Sequence, residues 1–239
     1  KLKDPAVIVI DEKGDFIIPI LSGHIGGANE LAEEIGLKIN ALPIITTATD
    51  NNNIFAVDIF AKKNDLAIAN RDGIAKVSSS LLEGKEVSVL ISHFENERAV
   101  LQLCPRKYFL GIGCKKGKTI EEIEYAVLDV LKNNNIKIQA LKAISSINEK
   151  KYEQGIIDFA KKYNIDFITF SAGELMSIDG DFESSEFVLN IMGTDNVCER
   201  AAVKASGENG TLICKKTAIN GVTVALAKKW ILKGLLYEL

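Results

Sequence analysis

Several short stretches of this chain combine residue types that can do chemistry. The first is SGHIGGAN at residues 22–29. Its glycines, Gly26 and Gly27 among them, let backbone N–H groups approach a ligand closely, and Ser22 and Asn29 add side-chain donors. His24 has a reference pKa of about 6.5, suited to acid–base work near neutrality. Taken alone, that histidine better suits capping its own loop. The second stretch, ITTATD at 45–50, offers hydroxyls at Thr46, Thr47 and Thr49 and a carboxylate at Asp50. These equally suit N-caps for a helix after Asn53. Each stretch leaves the C-terminal end of an apolar run, where α/β sheets place ligands.

The third stretch, GIGCKKGKT at 111–119, invites two nucleotide readings and fits neither. A phosphate-binding P-loop needs four residues before its Gly-Lys-Thr, whereas Gly113 leaves three and Gly111 leaves five. The dinucleotide fingerprint G-x-G-x-x-G also misses by one residue. What remains is a glycine turn that sets Lys115, Lys116 and Lys118 at a helix start, an arrangement for an anionic group or for a tight structural turn. Cys114 sits there without a histidine nearby in sequence to activate it. DNVCER at 195–200 brings Asn196, Glu199 and Arg200 to a helix start, with a capping turn and a surface ion pair as the plain alternative. Lys216 and Asn220 fall in KKTAING at 215–221, a solvated loop ending in a strong Asn-Gly turn signal. His93 reads as a loop or surface residue.

The elements that would position these groups alternate in kind. Residues 6–10 and 16–21 read as buried strands joined at Gly14, with Pro19 marking an edge or a bulge. A helix is expected from about Ala28 to Ile35, stopped by Gly36. Further strands are expected at 42–45, 87–91, 99–103, 108–112, 166–170 and 211–214. Helices are expected at 54–62, 71–82, 119–131, 150–163, 197–205 and 225–236, the third opened by a Thr119/Glu122 capping box. Such alternation argues for an α/β fold with parallel-rich sheets flanked by helices. The expected organisation is residues 1–53, 54–105 and 106–239: two α/β domains joined by a short middle region.

Composition removes several classes of function. The 239 residues are 47% hydrophobic and 26% charged, enough to build a core. A net charge of −3 lacks the cationic field of general nucleic-acid binding. The four cysteines form no CxxC pair and two histidines nearly exclude a His-rich zinc site, so reduced thiols in the cytoplasm are expected. No apolar run is long enough to span a bilayer. The chain opens on Lys1 and enters a strand at once, from which an absent upstream segment is expected.

LSGHIGGANELAEEI at 21–35 followed by ITTATD resembles the N-terminal region of the cobalamin-biosynthesis G proteins of the anaerobic pathway. GIGCKKG at 111–117, NVCERAA at 196–202 and KTAINGVTVALA at 216–227 are similar to later motifs of that family, in family order. Gly173 departs from the pattern, standing where the family has a carboxylate. The resemblance implies a cobalt-precorrin-5A hydrolase, which opens a ring A δ-lactone and releases a two-carbon fragment as acetaldehyde, giving cobalt-precorrin-5B. It implies no cofactor, since cobalt is carried by the tetrapyrrole substrate, and no nucleic-acid or membrane partner. A homodimer and contacts with neighbouring cobalamin-pathway enzymes are compatible with it. On this reading His24, Asn29 and Asp50 are catalytic. Ser22, Gly26, Gly27, Thr46, Thr47, Cys114, Lys115, Lys116, Asn196, Glu199, Arg200, Lys216 and Asn220 bind substrate. The alternative is a carrier that hands corrin intermediates between enzymes without chemistry.

Overall fold

The computed structural model describes residues 5–21, 26–45, 56–94 and 99–229. These form two compact units, one of residues 5–91 with 99–103 and one of residues 92–94 with 104–229.

The first unit begins with a hairpin of β1 (Val7–Ile10) and β2 (Phe16–Leu21). Asp11 Oδ1 accepts the Phe16 N–H at 2.7 Å, and Gly14 takes φ 73°, the left-handed turn position a Cβ disfavours. β2 is the middle strand of three, so Pro19 is not on an edge. It instead adjoins a register shift, where Val7 pairs with Leu21 and Ile8 with Pro19, and it lies past the last β2–β3 pair. The shift is how a residue without an N–H is accommodated in a central strand. Helix α1 (Ala28–Ile39) returns the chain to β3 (Leu42–Pro43), which runs parallel to β2. α1 passes through Gly36 instead of stopping there. A Cβ at Gly36 would lie 2.7 Å from the Ala41 carbonyl oxygen, so the glycine admits the returning chain, and Asn40 at φ 59° closes the helix. Ile17, Ala32 and Ala41 form the core, with Ile8, Ile35 and Ile45 against it.

A second three-stranded sheet in this unit places β6 (Leu101–Pro105) between β4 (Leu66–Ile68) and β5 (Val89–Ile91). Helices α2 (Val57–Lys63) and α3 (Asp72–Leu82) belong to it. Asn70 ties its loop to β6, accepting from the Gln102 N–H at 2.8 Å and donating to the Val100 carbonyl at 2.7 Å.

The second unit is a five-stranded sheet in the order β10-β11-β7-β8-β9. Strands β7 (Tyr108–Cys114), β8 (Leu141–Ile147) and β9 (Asp166–Phe170) are parallel. Helices α4 (Ile120–Asn133) and α5 (Gln154–Tyr163) make the two crossovers between them. The Thr119/Glu122 capping box starts α4 as its residues predict. Beyond α6 (Ala172–Met176) and α7 (Glu186–Met192), helix α8 (Cys198–Ser206) covers the other face of the sheet. A Cβ on Gly111 of β7 would strike the Cys198 carbonyl, so glycine is what lets helix and strand meet. The chain then forms an antiparallel hairpin, β10 (Gly210–Ile219) and β11 (Val222–Lys229), and β11 pairs antiparallel with β7.

Two expectations fail here. Residues 222–229 form a strand where a closing helix over 225–236 is expected; 230–239 lie outside the described residues. Within that strand Val224 to Ala227 are apolar and buried on both faces, and such a run carries no period to distinguish it from a helix. Lys215 to Ile219, read as a bridge between two extended runs with a solvated loop as the plain alternative, continue β10. Among the described residues no helix is long and apolar enough to cross a membrane.

Candidate functional site

Parallel strands end together, and the C-terminal edge of β7, β8 and β9 gathers most of the polar groups of the second unit. β7 delivers Cys114 and the turn Lys115–Lys118. β8 delivers a 3-10 turn, Asn148–Lys150, followed by Glu153 at the start of α5. The Asn220–Gly221 turn of the β10–β11 hairpin arrives at the same edge because Val222 pairs with Cys114 and the Lys115 N–H donates to the Gly221 carbonyl at 3.0 Å. Both turn residues have positive φ, 49° and 80°, as the Asn-Gly pair predicts. Three motifs far apart in sequence thus meet at one edge.

Among the described residues Lys115 and Lys116 form no ion pair and are exposed. Lys118 is half-committed, its ammonium 2.6 Å from Glu122 Oε1. Beneath the turn Glu153 accepts the Gly117 N–H at 2.6 Å on one oxygen and the Lys150 ammonium at 3.2 Å on the other. Both of these side chains are 9% exposed. Neither Lys150 nor Glu153 is singled out by the sequence; the one available signal is a carboxylate two residues before Gly155 at an expected helix start. Burial pushes the Cys114 thiol up to about 11, so it stays protonated near neutrality and is no nucleophile there.

Asn196, Glu199 and Arg200 also reach this edge but face inward. Asn196 caps α8, its Oδ1 accepting the Glu199 N–H at 2.9 Å. The Glu199 carboxylate is fully buried and accepts three N–H groups: Glu183 backbone at 2.9 Å, Asn196 side chain at 2.9 Å and Lys216 backbone at 2.6 Å. Arg200 grips both oxygens of Asp195 at 2.6 and 3.2 Å, donates to the Leu175 and Ile178 carbonyls, and lies over the Phe182 ring at 4.6 Å. Arg200 thereby holds the Asp195 carboxyl below its ordinary range. These groups pin the excursion between β9 and α8, and their hydrogen-bonding capacity is spent inside the protein. The plain alternative of a surface Glu–Arg pair gives way to two separate internal anchors. Lys216 reaches Glu183 Oε1 at 3.0 Å, and Asn220 is exposed at the hairpin tip.

In the first unit, β2 and β3 are parallel, so the chain leaves both at the same sheet edge. Gly27, at φ 78°, precedes α1 and has no side chain to cap the first-turn amides of that helix. Gly26 is exposed and Asn29 lies in the first turn, half-buried. Ser22, His24, Thr46, Thr47 and Asp50 lie outside the described residues. His93 is packed between Phe94 and Tyr108, ring centroids at 4.0 and 5.3 Å. Burial, with Lys107 and Lys228 nearby, lowers its pKa to about 4, so it is neutral, a half-buried residue of the loop position expected for it. Among the described residues no group of three or more His, Cys, Asp or Glu is placed to hold a metal ion.

Comparison with known proteins gives three family matches in order along the chain. These are cobalamin synthesis G N-terminal over residues 1–50, cobalamin biosynthesis central region over 55–107, and cobalamin synthesis G C-terminus over 108–227. The chain is 31% identical to a protein of Priestia megaterium named cobalt-precorrin-5A hydrolase, over 95% of this chain and 72% of the relative. A Salmonella typhimurium protein of the same name is 29% identical over 95% of this chain and 75% of its own length. The crystal structure of CobE, a protein from the cobalamin biosynthetic pathway, aligns with 51% of this chain and 89% of its own, at 23% identity and a TM-score of 0.48.

Proposed function

Because the chain belongs to the cobalamin synthesis G family, we infer that it is a cobalt-precorrin-5A hydrolase whose C-terminal sheet edge grips the carboxylate arms of its substrate. The observation that carries the grip is the convergence of Lys115 and Lys116, without carboxylate partners among the described residues, on the Asn220–Gly221 hairpin turn. Two adjacent ammonium groups on a held turn suit a macrocycle ringed by acetate and propionate groups. Lys118 and Lys216 already have partners, and Glu199 and Arg200 act as scaffold.

The chemistry falls to the glycine turn of the first unit. Water adds to the lactone carbonyl, the ring C–O bond breaks, and the acetate arm is freed as a carboxylate with a hydroxyl left on the two-carbon fragment. Loss of that hydroxyl proton drives cleavage of the carbon–carbon bond to the macrocycle. Acetaldehyde leaves, and the electron pair passes to the macrocycle, which takes up a proton. His24 is the general base and acid, the Gly26 and Gly27 N–H groups stabilise the lactone oxyanion, and Asn29 adds a donor. Asp50, Thr46, Thr47 and Ser22 orient water and a peripheral arm. No resident cofactor is needed, since cobalt enters as part of the substrate. Cys104, Cys114, Cys198 and Cys214 form no disulfide, which suits a reducing compartment, and the cytoplasm is the proposed one.

Anaerobic incubation with cobalt-precorrin-5A, trapping acetaldehyde, tests this reading. His24→Ala should lower kcat by about 10²–10⁴-fold with binding retained. Turnover unchanged in that variant removes His24 from the chemistry. Tight binding without acetaldehyde from the unmodified chain makes it a carrier.

A further inference from the structure

Resting on the reading of Lys115 and Lys116 as the carboxylate grip, we propose that Glu153 is the positioning residue for that grip, locking its turn to the start of the next helix. The turn is tied at four successive points. Lys115 donates its N–H to the Gly221 carbonyl at 3.0 Å, Gly117 donates to Glu153 at 2.6 Å, Lys118 pairs with Glu122 at 2.6 Å, and Thr119 caps α4. Of these, only the Glu153 contact ties the turn by a side chain from a distant element, 36 residues on. Gly117 sits at φ 79°, so the turn has a glycine's freedom unless its amide is held.

The partner of Glu153 explains how a carboxylate can serve in so closed a place. Lys150, as little exposed as Glu153, neutralises it at 3.2 Å and leaves the other oxygen to the Gly117 amide. A second feature presses the same two elements together. A Cβ on Gly155 would strike the Lys118 carbonyl and lie 3.0 Å from the Thr119 carbonyl carbon, so α5 begins directly against the exit of the turn. The two free lysines are therefore set on a fixed backbone before substrate arrives. Losing that order weakens binding and leaves the reacting bonds, which belong to other residues, as they are.

Steady-state kinetics on the full chain with cobalt-precorrin-5A decide the matter. Glu153→Ala should raise KM about tenfold, the scale of one lost charge-assisted contact, with kcat within about twofold of wild type. Glu153→Gln keeps an acceptor for the Gly117 amide and should fall between. Gly155→Ala displaces the turn without touching the charges and should also raise KM. Alkylation of Cys114, half-buried at the base of the turn, should accelerate in Glu153→Ala and in Gly155→Ala, a change independent of substrate. Wild-type KM in both variants, alongside a raised KM in the Lys115→Ala/Lys116→Ala double variant, overturns the positioning role. An unchanged KM in the double lysine variant overturns the grip itself, and the inference with it. If Glu153→Ala does not fold, Glu153→Gln and Gly155→Ala give the same decision.

Discussion

Replacing Glu199 separates an internal anchor from a substrate contact. Its carboxylate accepts N–H groups from Glu183, Asn196 and Lys216, all within 2.9 Å, at a site with no exposure. Glu199→Ala strands three buried donors, each costing about 1–3 kcal/mol when left unmade, so the loss should reach roughly 3–6 kcal/mol after partial relaxation. Glu199→Gln keeps one accepting oxygen but turns an NH2 toward another donor, a loss of about 1–3 kcal/mol. Equilibrium urea unfolding followed by circular dichroism reads both, the midpoint falling with little change in slope. For a chain of this size the Gln variant should melt roughly 2–10 °C lower. KM measured on the folded fraction should stay at the wild-type value. A Gln variant that unfolds within about 0.5 kcal/mol of wild type yet raises KM refutes the reasoning, since the carboxylate would then be reaching substrate and not these three amides.

Two further outcomes follow from titrating groups. Cys114, its thiol pushed up to about 11 by burial, should alkylate slowly at pH 8 and about tenfold faster per pH unit until the pH nears that value; fast labelling at pH 8 in peptide-resolved mass spectrometry contradicts its protonated state. Asp195, whose carboxyl Arg200 holds below the ordinary aspartate value of about 3.9, stabilises the fold above that pH, and the gain is lost as pH falls through the lowered folded value. Asp195→Asn should therefore flatten the acid limb of the stability–pH curve; an unaltered acid limb shows that the pair contributes nothing to it.

What the sequence made legible was local. The Thr119/Glu122 box, the Asn220–Gly221 turn and the hairpin at Gly14 each follow from chemistry among neighbours in the chain. Gly36 was misleading because its use is tertiary: it makes room for Ala41 and lets the helix continue. The strand at Val222–Lys229 was hidden because burial on both faces removes the alternation that marks a strand. At the candidate site the lysines and the hairpin turn were visible as motifs, whereas the direction in which Glu199 and Arg200 point was not. A charged pair at a helix start looks the same whether it faces solvent or an excursion that needs pinning. Nothing local marks Glu153, because its significance lies in an amide 36 residues away.

The central place of β7 has a consequence for the order in which the molecule assembles. Its parallel neighbour β8 follows after one helix, but its other neighbour is β11, and the Thr223 hydroxyl that donates to the Gly113 carbonyl is 110 residues distant. The hydrogen bond that closes the lysine turn is accepted by the Gly221 carbonyl, in the same late hairpin. On a ribosome the α4 and α5 crossovers can form while β10 and β11 have yet to emerge, and long-range pairing carries the larger loop-closure cost. The edge proposed to grip carboxylates is thus incomplete until β11 has joined β7, long after the α4 and α5 crossovers can form.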